Sequence, residues 1–170
     1  MFKRLLIAST AAALLSHTPA PAAVTPLMDT IADTGTKLAM THEICSDAID
    51  GLYASGDRLM VVCTEGQSPS HWSENDRNTL RHEGIHLAQD CEGVRAGNLA
   101  LAPLVKTEAE LNGLITTSGI PADRIADAYY LMGASEHEVW LEMEAWSLAE
   151  LLTDAQVAEV ISRACGLSGV

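Results

Sequence analysis

The chain has 170 residues, with 10 basic side chains against 23 acidic ones and a formal net charge of −13. A surface of that sign repels phosphate backbones and anionic headgroups, which argues against nucleic acid and anionic membranes as partners. Small substrates and peptides stay open.

Met1, Phe2, Lys3 and Arg4 make a basic start, residues 5–15 an apolar run, and residues 16–23 a small-residue exit. That order is the pattern of a secretory signal peptide, and the run falls short of the roughly 20 apolar residues that span a bilayer. The expectation is a leader over 1–23 and one folded domain over 24–170. The mature protein is expected in the periplasm or the medium, without stable membrane insertion.

Residues 30–40 read as weakly helical. Residues 51–54 and 58–63 read as two short strands around Ser55, Gly56 and Asp57, with Leu59, Val61 and Cys63 on one face. Ser73 is a helix N-cap with Asp76 three residues on, and this helix is expected to end near Cys91, where Gly93 and Gly97 loosen the chain. Helices follow over 107–116, 121–132, 135–152 and 153–165, opened by Pro121 in a first turn and by Ser135 and Thr153 as caps. The sum is an α+β fold: a small N-terminal hairpin or sheet, then a mainly helical remainder.

Four cysteines, Cys45, Cys63, Cys91 and Cys165, carry no close CxxC spacing of the kind a thiolate zinc site needs. In an oxidising compartment they predict two disulfides with three possible connectivities. The pairing favoured is Cys45 with Cys63 and Cys91 with Cys165.

The chemistry concentrates at His82-Glu83-Gly84-Ile85-His86, an HExxH motif. Residues four apart share a helix face, so His82 and His86 can hold one Zn2+ ion while Glu83 serves as general base for a water molecule. Leu80, Gly84, Leu87, Ala88 and Cys91 form an apolar stripe on the same helix, and both histidines project from its opposite side. Catalytic zinc normally takes a third protein ligand. In the extended motif HExxHxxGxxH a glycine and a histidine follow, but Gln89 and Glu92 stand at those positions, which sends the search downstream.

There the sequence resembles the gluzincin group of HExxH metallopeptidases, in which a glutamate on a later helix completes the site. The resemblance rests on HEGIH and on Glu142-x-x-Ala145, with 55 residues between His86 and Glu142. It implies a zincin-like domain and zinc-dependent hydrolysis of a peptide or protein substrate, with metal ligands His82, His86 and Glu142 and catalytic base Glu83. Glu142 is preferred to Glu144 because Ala145 and Ala149 beside it would let two helices approach closely. Trp146 stands where one common gluzincin pattern has an aspartate supporting a ligand histidine, so the partner of the ligands is not identified.

The resemblance also implies an edge strand that pairs with extended substrate, and 58–63 occupies that place in the chain order. His71, His137, Tyr129 and Tyr130 are undistinguished candidates for stabilising an oxyanion, and Asp90 is a candidate supporting acid. Two other readings stand beside the enzyme: a non-catalytic exported zincin-like protein, and a disulfide-bonded binding module without metal.

Overall fold

The computed structural model describes residues 25–45 and 49–167. The leader expected over 1–23 lies outside the described residues. Among them are six α-helices and one three-stranded sheet, an α+β architecture. The helices are α1 (Thr25–Asp33), α2 (Glu74–Arg95), α3 (Glu108–Ser118), α4 (Ala122–Leu131), α5 (Glu136–Leu151) and α6 (Asp154–Cys165); the strands are β1 (Lys37–Ala39), β2 (Gly51–Ala54) and β3 (Leu59–Val62).

The helix expected over 30–40 is corrected. Helix α1 ends at Asp33, Gly35 turns the chain with φ of 83°, and the following residues enter the sheet as β1. Pairing to β3 decides the state of this short piece, since Lys37, Leu38 and Ala39 lie in parallel register with Leu59, Met60 and Val61. Strands β2 and β3 form the expected hairpin, antiparallel, closed by a 3-10 turn at Ser55–Asp57.

The sheet order β1-β3-β2 overturns the edge-strand assignment. Residues 58–63 contain the middle strand, whose backbone groups are used on both sides, so no substrate can pair there. Burial agrees, because Met60, Val61 and Val62 are all fully covered and the one-faced pattern of Leu59, Val61 and Cys63 does not apply. Strand β2 is an edge.

Four helices begin with a reciprocal cap in which the cap side chain accepts the N–H of the residue three positions on and that residue's side chain accepts the cap's N–H. The pairs are Ser73 with Asp76, Thr107 with Glu110, Ser135 with Glu138, and Thr153 with Gln156. Helix α2 runs past Cys91 to Arg95. Gly93 is helical, and an added Cβ would collide with the carbonyl oxygen of Ala100, so the residue serves close approach and not termination.

The core lies between α2, α1, α6 and the inner face of the sheet, with Leu27, Ile31, Met60, Leu80, Ile85, Leu87 and Ile161 fully buried. Each such side chain contributes about 1.5–3 kcal/mol relative to exposure. Gly84 permits the α2–α6 crossing, since its Cβ position lies 3.2 Å from Val157 Cγ1 and 3.4 Å from Ile161 Cδ1. A second apolar cluster of Leu111, Val139 and Met143 joins α3 and α4 to α5.

Two disulfides close the structure, Cys45–Cys63 and Cys91–Cys165. The second ties the end of the HExxH helix to the end of α6. Both are consistent with an oxidising, extracellular setting. No helix among the described residues is long and apolar enough to cross a membrane.

Candidate metal centre

Helix α2 is buried on every side from Leu80 to Cys91. The apolar stripe faces the core as expected, but the opposite side is no solvent face: α5 covers it, leaving His82 and His86 each 7% exposed. They are therefore not ordinary surface histidines. Tight α2–α5 contact is possible where α5 presents Ala145 and Ala149, both fully buried, and where Arg81 of α2 donates through Nε to the Ala149 carbonyl at 2.9 Å.

Across this contact three donor atoms converge. His82 Nε2 and His86 Nε2 are 3.1 Å apart, and Glu142 Oε2 lies 3.3 Å from the first and 3.4 Å from the second. An ion about 2.0–2.1 Å from each of two ligands, at a tetrahedral angle, holds them about 3.3–3.4 Å apart. The triangle therefore has the dimensions of a three-ligand face. His82, His86 and Glu142 form a possible metal-binding triad among the described residues.

Electrostatics point the same way. Burial pulls His82 down to about 4 against its contact with Glu142, which leaves a neutral imidazole with a free electron pair. For His86 burial acts in the same direction, but the close approach of Glu142 and the charges of Glu142 and Glu83 outweigh it and push the value up to about 9. Glu142 is desolvated too, yet the two imidazoles hold it well below the carboxylate range. Glu142, with Glu83 further off, places negative charge at this point that a bound cation would offset. Glu142 Oε2 has no hydrogen-bond partner among the described residues.

Glu83 is 6% exposed and burial pushes it up to about 7, opposed by His86. The backbone N–H of Tyr53 in β2 donates to it. Its Oε1 also lies 3.1 Å from where a Cβ on Gly51 would stand, so the carboxylate rests against the edge strand. The structure brings all four predicted site residues into one neighbourhood.

Other candidates separate. Tyr129 is pushed above its ordinary range by burial, then by the nearby charge of Glu142, with Glu83 acting further off. Its hydroxyl therefore lies near the triad. Tyr130 is 48% exposed and His71 contacts Ser70 on the surface, whereas His137, whose Nε2 meets the Leu101 carbonyl at 3.0 Å, lines the same cleft as His86 and Glu142. Asp90 does not support a ligand; it accepts from the Tyr53 hydroxyl at 2.8 Å and ties α2 to the sheet. Trp146 takes a place beside His82, with ring centroids 4.6 Å apart.

Sequence reasoning passed over Gln89, treating it only as a departure from the extended motif. Its Oε1 lies 2.7 Å from His86 Nδ1. The available signal was its position three residues after His86, on the same helix face.

Glu144 points elsewhere. It is fully buried and accepts from the backbone N–H groups of Leu104 and Val105 at 2.9 and 2.6 Å. Those bonds hold the segment after α2, whose residues Leu99, Ala100 and Leu101 form one wall of a cleft of about 470 Å³. His86, Leu141 and Glu142 line it too, together with Ser55, Ser135 and Glu138.

In comparisons with known proteins, no family model, no curated protein and no solved structure matches the chain.

Proposed function

We propose that the chain is a zinc-dependent hydrolase of peptide bonds, acting outside the cytoplasm and related in plan to the zincins. The observation that carries this reading is the triangle of His82 Nε2, His86 Nε2 and Glu142 Oε2, with sides of 3.1 to 3.4 Å, beside a buried Glu83. Two imidazoles and one carboxylate are a donor set of catalytic zinc. Zinc bound there would supply Lewis acidity and a nucleophile at neutral pH.

The chain's own groups do the remaining work. Glu83 accepts a proton from the attacking water and returns it to the leaving nitrogen, and the Tyr53 amide keeps its carboxylate aimed. A structural metal site has no use for a buried base at this position, which favours an enzyme over a metal-stabilised binding module. The Tyr129 hydroxyl donates to the carbonyl oxygen as negative charge develops. The apolar cleft wall of Leu99, Ala100 and Leu101 receives side chains of an extended substrate, and the turn that follows edge strand β2 reaches the same cleft at Ser55.

The test is digestion of an unfolded protein by zinc-loaded enzyme, with products read by mass spectrometry. Cleavage abolished by a chelator and by Glu83→Gln is expected. Equal product from wild type and Glu83→Gln would sink the proposal.

A further inference from the structure

We infer that Gln89, anchored by Glu144, is the positioning residue of the metal site: it fixes which nitrogen of His86 is free to bind and joins that ligand to the cleft wall. The inference rests on the metal-centre reading above.

Hydrogen-bond accounting assigns the amide. Gln89 Nε2 lies 3.0 Å from the Leu141 carbonyl and 2.8 Å from Glu144 Oε2. Both are acceptors, so the atom between them is the NH2 group. Its oxygen must then face His86 Nδ1, at 2.7 Å, and an oxygen there requires Nδ1 to carry a proton. The ligating nitrogen is thereby Nε2, the atom that points at His82 and Glu142.

A carboxylate usually does this for a ligand histidine. Here the carboxylate stands one step back: Glu144 holds the amide, and the amide holds the imidazole. A neutral amide brings no further negative charge against the imidazole.

The same pair reaches the cleft wall. Glu144 takes the N–H groups of Leu104 and Val105, and the backbone carbonyl of Gln89 takes that of Ala102 at 2.9 Å. Gly93 brings the Ala100 carbonyl against α2. Ligand orientation and wall position are thus set by one buried network, with Gln89 and Glu144 both fully buried.

The experiment measures zinc affinity by chelator competition, together with long-range proton–nitrogen NMR of the histidine rings with and without zinc. Wild type should show His86 protonated at Nδ1 in both states. Gln89→Leu should weaken zinc binding on the order of 10–100-fold while the chain stays folded by circular dichroism. The ring-proton assignment is read on the wild-type chain itself, so it tests the inference even where Gln89→Leu fails to fold.

A wild-type chain that binds no zinc overturns both the metal-centre reading and this inference. Zinc bound by wild type, with His86 protonated only at Nε2 or with Gln89→Leu binding as tightly, overturns the positioning role alone.

Discussion

Glu142 Oε2 stands 3.4 Å from His86 Nε2, across the contact between α5 and α2, with no hydrogen-bond partner among the described residues. A buried carboxylate oxygen without a donor is costly, on the order of 1–3 kcal/mol or more for a charged group. A cation in the triangle removes that cost.

One zinc ion per chain is therefore expected in native mass spectrometry, and His82→Ala or Glu142→Ala should lose it. Glu144→Ala should act first on the fold, because the Leu104 and Val105 amides and the Gln89 side chain lose their acceptor. The expected loss is about 2–4 kcal/mol in denaturant titration. A Glu142→Ala chain that retains zinc like wild type would remove it from the ligand set.

Glu83→Gln should keep zinc and lose turnover by about 100-fold or more, since the amide fills the same space and cannot take a proton. Metal content and rate measured on one preparation separate the base from the ligands.

Gly93→Ala should be costly although alanine favours helix. The new methyl group meets the Ala100 carbonyl and forces the cleft wall away from α2. A drop of about 1–3 kcal/mol is expected from overpacking. Gly113, whose added Cβ meets nothing, is the control and should tolerate alanine.

Losing the Cys91–Cys165 bond should destabilise more than losing Cys45–Cys63, because the separations are 74 and 18 residues. Chain entropy alone gives about 4.5 against about 3 kcal/mol. Thermal melts of the two double-alanine variants test the order, and peptide mapping tests the pairing.

Acid should weaken two helix starts. Glu110 and Glu138 are held below 4.5, Glu110 first by the Lys106 amide and Glu138 first by that of Ser135. A depressed folded value gives stability present above the unfolded pKa and lost as pH falls from 4.5 through the folded value. As pH falls below 4.5 the melting temperature of wild type should drop more steeply than that of the Glu110→Gln, Glu138→Gln variant, and equal slopes would show that these caps do not carry the dependence.

Sequence alone determined what is local. Cap pairs such as Ser73 with Asp76 placed helix starts, the turn at Ser55–Asp57 placed the hairpin, and HEGIH placed two imidazoles and a base on one helix face. Even Glu142 was legible, because Ala145 and Ala149 beside it signal a close helix contact.

Tertiary structure decided whatever depends on partners distant in sequence. Lys37–Ala39 became strand through pairing with β3, and that pairing made β3 the middle strand and β2 the edge. The role of Gln89 required α5 to bring the Leu141 carbonyl and Glu144 to one side of its amide, leaving the oxygen for His86. A side chain's chemistry is written in its own residue, but the direction in which a buried amide must face is set by acceptors that only folding delivers.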